Sequence, residues 1–179
     1  MEIKELYSIF CKCGTVTTDS RTIRGGELFF ALKGENFDGN EYASKALDAG
    51  AAYAVVNETA PIASCMSECI DTEGRSRIIP VPDTLRTLQD LARYHREHVL
   101  GDEHLTVIGI TGTNGKTTTK ELIRTVLSAK YNVIATEGNF NNDIGVPLSL
   151  LKITPATQLA VIEMGANHPD DIAKLVQVC

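Results

Sequence analysis

The pattern of hydrophobic and polar positions changes its character near residue 83 of this chain. Before that point, short apolar runs are bounded by glycine and proline turns, as is typical of strands. Three such runs are predicted to be strands: 27–32, 52–56 and 77–81. Between the first two, Asn40 is predicted to cap a helix over residues 41–49 that ends at Gly50. The first part of the chain is therefore predicted to be a small α/β unit.

Longer helical patterns begin after Pro82. Asp83 is predicted to cap a helix in which leucines recur at helical spacing, and Gly101-Asp102 is predicted to end it. Strand and helix patterns then alternate strictly, with strands predicted at 105–110, 133–136 and 159–164 and helices at 117–130, 144–151 and 170–178. Such alternation predicts a parallel sheet covered by helices, with ligands bound at the carboxyl ends of the strands.

These patterns together predict an α/β fold with two domains. We expect a small N-terminal α/β domain at residues 1–82. Residues 83–179 are predicted to form an interdomain helix and the first part of a P-loop-type parallel sheet domain with flanking helices. The alternation breaks off at Cys179 without closing elements, so we expect the chain to be part of a longer protein.

Charge and composition restrict the class of protein. The chain has 179 residues, of which 43% are hydrophobic and 22% charged, and its net charge is −6. A negative chain does not attract nucleic acid or an anionic membrane. No apolar run approaches the roughly 20 residues that span a bilayer, and the first residues lack the features of a signal peptide. We therefore expect a cytoplasmic protein that neither binds nucleic acid nor inserts into a membrane.

The cysteines are expected to be reduced thiols. Their number is odd, and the chain is not a short secreted one. A zinc site formed jointly by the C-x-C and C-x-x-x-C pairs is the alternative, disfavoured because no C-x-x-C spacing is present. The five cysteines are Cys11, Cys13, Cys65, Cys69 and Cys179.

The segment 111–118 (TGTNGKTT) carries the clearest chemical signal. It lies between a predicted strand and a predicted helix, where glycines let backbone N–H groups converge on phosphate oxygens. Lys116 is placed to neutralise the β- and γ-phosphates of ATP, and the Thr117 hydroxyl to bind Mg²⁺. Ile110 stands where the common phosphate loop has glycine, so this loop is a variant. The predicted ATP-binding residues are Gly112, Thr113, Asn114, Gly115, Lys116, Thr117 and Thr118.

A second group of candidate residues follows the later strands. Glu163 ends a predicted strand, which places its carboxylate at the same sheet edge as the loop and predicts a second oxygen ligand for Mg²⁺. The alternative is a solvated glutamate at a strand end. The run 138–143 (GNFNND) also joins a strand to a helix and suits hydrogen bonding to a polar substrate, although asparagine and glycine are common in plain turns.

Four segments resemble one known family in the same order along the chain. The 112–118 loop (GTNGKTT) is similar to that of the Mur ligases and of their relative folylpolyglutamate synthetase. The runs 138–151 and 163–172 (EMGANHPDDI) are similar to the Mur ligase that adds D-Ala-D-Ala. Upstream, Asp19-Ser20-Arg21 with residues 25–43 resembles the uridine-nucleotide-binding domain of the family.

The resemblance implies a reaction and roles for several residues. ATP would phosphorylate the terminal carboxylate of UDP-MurNAc-tripeptide, and the amine of D-Ala-D-Ala would attack the acyl phosphate. Lys116 and Glu163 would be catalytic, and Thr117 with Glu163 would hold Mg²⁺. Four residues would contact substrate: Ser20, Arg21, Asn139 and Asn142. His168 has no assigned role, and a surface histidine is an equally good interpretation.

The resemblance also implies that much of the enzyme lies elsewhere. Family members continue through the rest of the central domain and a third domain, which supply a second metal site and much of the dipeptide site. We expect the chain alone to be inactive and the protein to be a monomer. Two alternatives stay open: a family member that adds a single amino acid, and a nucleotide-sugar-binding module without catalysis.

Overall fold

A computed structural model describes residues 1–34, 37–65, 69–101 and 105–179. The chain divides into two compact units, Met1–Leu88 and Gln89–Cys179. Each unit has its own parallel sheet, so the predicted α/β fold with parallel strands and flanking helices is confirmed. Within the described ranges, every helix is too short or too polar to cross a membrane.

The first unit is built on a four-stranded parallel sheet whose strands lie side by side in the order of the sequence. Its two inner strands are deeply buried, since residues 28–30 of one and 54–56 of the other are at most 1% exposed. The elements are α1 (Ile3–Cys13), β1 (Val16–Thr17), β2 (Leu28–Phe30), α2 (Ala43–Asp48), β3 (Tyr53–Asn57) and β4 (Ile78–Val81), with 3₁₀ turns at Ser20–Thr22, Gly39–Tyr42 and Pro61–Cys65. The three predicted strands are confirmed at β2, β3 and β4.

Helix α1 was missed by the sequence analysis, although the signal for it is present. Leu6 and Phe10 lie on one face and are buried. Glu2 and Glu5 form a capping box at the start of the helix, and Gly14 ends it with a φ of 74°. The helix therefore has an apolar stripe and a signal at each end.

The predicted helix cap at Asn40 is wrong. The Asp38 side chain accepts a hydrogen bond from the Asn40 N–H and caps a 3₁₀ turn instead, and α2 begins only at Ala43. Gly39 fixes this turn, because a Cβ there would lie 2.5 Å from the Leu32 carbonyl oxygen. Asn40 is buried, and its side-chain oxygen accepts from the Asn57 N–H at 2.8 Å.

The second unit contains a three-stranded parallel sheet in which the last strand along the sequence lies between the other two. Asp83 accepts from the Arg86 N–H at 2.9 Å and caps the helix Thr84–His98 (α3), as the sequence predicts. This helix begins in the first unit and continues into the second. The remaining elements follow in the predicted alternation. They are α3 (Thr84–His98), β5 (Thr106–Ile110), α4 (Lys116–Ser128), β6 (Val133–Ala135), α5 (Gly145–Leu150), β7 (Leu159–Glu163) and α6 (Asp171–Val178).

Strand β7 organises the second unit because it lies between the other two strands. Ile110 is opposite Glu163, and Ala135 is opposite Val161. Strands β5, β6 and β7 are parallel, so their carboxyl ends meet at one edge. The loops that leave β5, β6 and β7 therefore start close together, and this edge carries the candidate site.

Candidate nucleotide and metal site

The phosphate loop joins β5 to α4. Gly112 and Gly115 have φ angles of 142° and 77°, in the region that L side chains rarely adopt. Nothing lies within 4 Å of a Cβ built at either glycine, so the backbone conformation, and not a lack of space, requires glycine there. Lys116 is the first residue of α4, and the positive end of the helix dipole favours an anion at this loop.

The Lys116 side chain folds back over the loop. Its ammonium donates a hydrogen bond to the Gly112 carbonyl at 2.6 Å. Thr113, Asn114 and Thr118 of the 111–118 segment are exposed. The Lys116 ammonium is thus bound to a neutral carbonyl of the loop. A phosphate would compete with that carbonyl for the ammonium, and it would make the stronger hydrogen bond because it is charged.

Glu163 is the last residue of β7, and only 2% of it is exposed. Its Oε1 accepts from the Thr117 hydroxyl at 3.2 Å and from the Asn141 side-chain amide at 3.0 Å. The structure therefore brings Thr117 and Glu163 together, although they are far apart in sequence. Their roles as metal ligands stay a prediction.

The second carboxylate oxygen of Glu163 shows that a cation fits this site. Among the described residues, Oε2 is buried and has no hydrogen-bond partner. A buried charged acceptor without a partner costs more than the roughly 1–3 kcal/mol of a neutral one. A hard cation such as Mg²⁺ prefers oxygen ligands and is usually held by one or two carboxylates with phosphates and water. The donor set of Glu163 and Thr117 fits that preference.

Protein groups alone do not complete a metal site in the described part of the chain. The described part of the chain contains no group of three or more His, Cys, Asp or Glu residues that could hold a metal ion. A bound Mg²⁺ would therefore depend on phosphate oxygens and water for its other ligands. The alternative zinc site requires Cys65, whose side chain lies outside what the structure describes.

Asn141 contacts the site, but the sequence analysis chose its neighbours Asn139 and Asn142. The Asn142 side-chain oxygen accepts from the Gly145 N–H at 2.8 Å, at the start of α5. Asn139 is exposed. A run of asparagines signals a polar loop, but its spacing does not reveal which side chain turns towards β7. The substrate roles of Asn139 and Asn142 stay predictions.

Ser20 and Arg21 belong to the first unit, on the 3₁₀ turn that Asp19 caps. The Arg21 guanidinium contacts Asp19 at 2.7 Å while its side chain stays 86% exposed. This hydrogen-bonded pair lowers the pKa of the Asp19 carboxyl to about 2. Arg21 is therefore fixed in direction and remains accessible to a ligand.

His168 lies in the loop between β7 and α6. Its backbone N–H donates to Asp171 at 2.8 Å. The imidazole Nδ1 lies 3.7 Å from the same carboxylate, and the side chain is 82% exposed. This geometry shows a surface histidine beside a helix start and gives His168 no chemical role.

The architecture and the loop geometry of the second unit are those of P-loop-type α/β proteins. Two family models match the chain: the Mur ligase family catalytic domain over residues 13–96 and the Mur ligase middle domain over residues 110–179. The chain belongs to the Mur ligase family.

Individual relatives agree with this assignment. The chain is 41% identical over 157 residues to the UDP-N-acetylmuramoyl-tripeptide–D-alanyl-D-alanine ligase of Bacillus subtilis, covering 88% of this chain and 32% of that protein. It is 40% identical over 174 residues to the ligase of the same name from Escherichia coli, covering 97% of this chain and 35% of that protein. The crystal structure of the MurF ligase from Thermotoga maritima in complex with ADP superposes with a TM-score of 0.73 at 35% identity, covering 92% of this chain and 35% of that one.

The chain matches only part of each relative. It spans about a third of the length of the curated relatives that it matches. The activity of a whole ligase is therefore a proposal for the protein to which this chain contributes.

Proposed function

We propose that this chain supplies the UDP-sugar-binding and ATP-binding parts of a ligase that joins D-Ala-D-Ala to UDP-MurNAc-tripeptide in peptidoglycan precursor synthesis. Relatives bearing the name of that ligase match 88% and 97% of the chain. The single structural observation that carries the proposal is the 3.2 Å contact between Thr117 and Glu163 beside the phosphate loop. It combines a phosphate-binding backbone with a metal-binding pair at one sheet edge.

The loop is proposed to bind the phosphates of ATP. Its backbone N–H groups and the start of α4 would contact the phosphate oxygens, and the Lys116 ammonium would leave the Gly112 carbonyl for the transferring γ-phosphoryl group. Phosphoryl transfer depends mainly on positioning and on stabilising charge, so a fixed cation at this point lowers the barrier. The presence of ADP in the superposed Thermotoga structure supports a nucleotide site.

Thr117 and Glu163 are proposed to hold Mg²⁺ through Oγ1 and the carboxylate. When bound, the ion would neutralise phosphate charge during transfer. Asn141 donates to Oε1 of the same carboxylate. That bond holds the Glu163 side chain in one direction and leaves Oε2 free for a ligand.

The proposed reaction has two steps. ATP transfers its γ-phosphoryl group to the terminal carboxylate of the tripeptide, giving an acyl phosphate and ADP. The amine of D-Ala-D-Ala then attacks the acyl carbon and releases phosphate as the amide forms. The residues that bind the dipeptide and a second metal are proposed to lie in the remaining length of the ligase. We propose that this ligase is cytoplasmic, since it consumes ATP and nucleotide-linked precursors, and that it acts as a monomer.

The first unit is proposed to bind the uridine nucleotide around Ser20 and Arg21. Phe37 and Tyr42 stack on the same unit, with ring centroids 5.2 Å apart, and Phe37 is 53% exposed. Tyr42 interacts electrostatically with Arg21. The Lys45 ammonium lies 5.3 Å from the Tyr42 ring. Exposed aromatic faces beside cations suit a ligand with a base and phosphates. Addition of UDP to the labelled chain is expected to shift the amide signals around Ser20.

The two alternative functions differ from the proposed one in the acceptor that is ligated or in the absence of catalysis. A MurE-type ligase would add a single amino acid to a shorter peptide, and a nucleotide-sugar-binding module would not release ADP. The test is ADP release by the full-length protein with UDP-MurNAc-tripeptide and D-Ala-D-Ala, compared with UDP-MurNAc-dipeptide and single amino acids. ADP release that depends on D-Ala-D-Ala is expected. Release only with single amino acids, or no release at all, contradicts the proposal.

A further inference from the structure

Lys120 is buried beneath the candidate site. It is 1% exposed, and its ammonium donates to the Thr136 carbonyl at 2.6 Å and contacts Glu121 at 3.0 Å. Lysine is almost never fully buried without partners, because desolvating its charge is costly. In the described part of the second unit, Lys120 and Glu163 are the fully buried lysine and carboxylate. Thr136, also 1% exposed, is hydrogen-bonded to both.

The regular pairing of β6 with β7 stops at the residue that Lys120 contacts, Thr136. The Thr136 N–H still donates to the Val161 carbonyl at 3.0 Å, as in a regular parallel pair. The regular pattern would continue with the Glu163 N–H donating to the Thr136 carbonyl. Instead, the Glu163 N–H donates to the Thr136 hydroxyl at 2.9 Å, and the carbonyl accepts from Lys120. Strand β6 accordingly ends at Ala135.

The end of β6 decides where the following loop goes. The chain leaves the sheet after Thr136 and returns along the end of β7, where the Gly165 N–H donates to the Asn141 carbonyl at 2.7 Å. A Cβ at Gly165 would lie 3.1 Å from the Asn141 side chain. This close passage places the Asn141 amide on Glu163 Oε1. The Glu163 backbone is thus held by Thr136 itself, and its carboxylate is held by Asn141, from the loop that begins after Thr136.

We propose that Lys120 is a positioning residue that ends β6 by binding the Thr136 carbonyl, which leaves the Glu163 N–H to the Thr136 hydroxyl. Together these two bonds direct the Asn141 loop and the Glu163 carboxylate towards the metal site. This inference rests on the proposed nucleotide and metal function of that site. Residues that orient a metal ligand typically change metal affinity by 10–100-fold when they are altered. Lys120 lies one helical turn beyond Lys116, so one helix carries both the phosphate-binding lysine and the lysine that orients the metal ligand.

The geometric part of the inference is tested by NMR on the isotope-labelled chain with Lys120→Met, which keeps an unbranched side chain, one atom shorter, and removes the charge. The Thr136 carbonyl should return to the ladder, so a through-hydrogen-bond coupling should appear between the Glu163 N–H and the Thr136 carbonyl carbon. The Asn141 side-chain amide signal should shift. Lys130→Met, at an exposed position past the end of α4, is the matched control. A coupling already present in the unaltered chain, or an unchanged Asn141 signal in Lys120→Met, overturns the inference.

A second pair of variants keeps the test decisive if Lys120→Met does not fold. Thr136→Val preserves the shape of the side chain and removes the hydroxyl acceptor of the Glu163 N–H, whereas Thr136→Ser retains it. The readout is the ADP affinity of the full-length protein as a function of Mg²⁺ concentration. The ADP affinity in the presence of a metal chelator is measured as the metal-free control. Thr136→Val should raise the Mg²⁺ concentration for half-maximal effect by about tenfold. Thr136→Ser should not, and neither variant should change affinity in chelator.

The outcomes separate this inference from the proposed function. If the unaltered protein shows no Mg²⁺-dependent gain in ADP affinity, the metal site fails and the inference fails with it. If the unaltered protein shows the gain and Thr136→Val matches Thr136→Ser, only the inference fails. A loss of ADP affinity in chelator for Thr136→Val would indicate general damage to the phosphate loop and would also contradict a role confined to Glu163.

Discussion

The Thr117 hydroxyl and the Glu163 carboxylate meet at 3.2 Å, one at the start of α4 and the other at the end of β7. Parallel strands make this possible, because Ile110 and Glu163 are opposite each other at the ends of β5 and β7 and the phosphate loop starts directly after Ile110. The contact leaves Glu163 Oε2 buried and without a described partner. A bound cation would satisfy that oxygen.

Replacing Lys116 should stop catalysis without unfolding the protein. The side chain is only partly buried, and its described hydrogen bond is to a carbonyl of its own loop. Removing a preorganised transition-state contact typically lowers kcat by on the order of 100-fold or more. Lys116→Ala in the full-length ligase should therefore lose at least that much kcat in an ADP-release assay, with an unchanged thermal midpoint. Lys130→Ala is the control, and near-normal kcat in Lys116→Ala refutes the role.

The pair of Asp19 and Arg21 gives a prediction about acid titration. The bond from Arg21 lowers the pKa of Asp19 from the model-compound value of 3.8 to about 2 in the folded chain. A lowered folded-state pKa contributes stability above the unfolded value, and that stability is lost as pH falls towards the folded value. The Asp19 carboxyl carbon should titrate near 2 by NMR in the unaltered chain and return towards 3.8 in Arg21→Ala. Identical midpoints in the two proteins would show that the pair does not form in solution.

Asp170 should be replaceable by glycine with a gain in stability. Among the described residues, it has the one positive φ outside glycine, 67°, and its side chain makes no capping bond to α6. A left-handed conformation costs an L residue roughly 1–2 kcal/mol, less for Asp and little for Gly. In urea unfolding, Asp170→Gly should stabilise the chain by up to about 1 kcal/mol, and Asp170→Ala should destabilise it by about 1 kcal/mol. The reverse order of these two variants would contradict the backbone conformation.

The sequence was sufficient for features that depend on local pattern. The strand, glycine loop and helix around Lys116 carry their own signals, and strand-end residues such as Glu163 follow from parallel pairing. The position of Asn141 could not be predicted, because its direction depends on where β6 ends. That end depends on a hydrogen bond from Lys120 to Thr136, which no local spacing reveals. The predicted cap at Asn40 was wrong for a similar reason. Asp38 caps the turn instead, and the Asn40 side chain accepts a hydrogen bond from Asn57, which is distant in sequence.

The most direct test is the Mg²⁺ dependence of ADP binding in the full-length protein with Glu163→Gln. Glutamine keeps an oxygen for Thr117 and Asn141 but replaces the buried Oε2 with an amide that cannot bind a cation. The Mg²⁺ concentration for half-maximal effect should rise by about tenfold or more, with ADP affinity in chelator unchanged. Glu137→Gln, at a side chain that is 70% exposed, is the control and should behave like the unaltered protein. The same Mg²⁺ dependence in Glu163→Gln and the unaltered protein would contradict the metal site at the centre of this account.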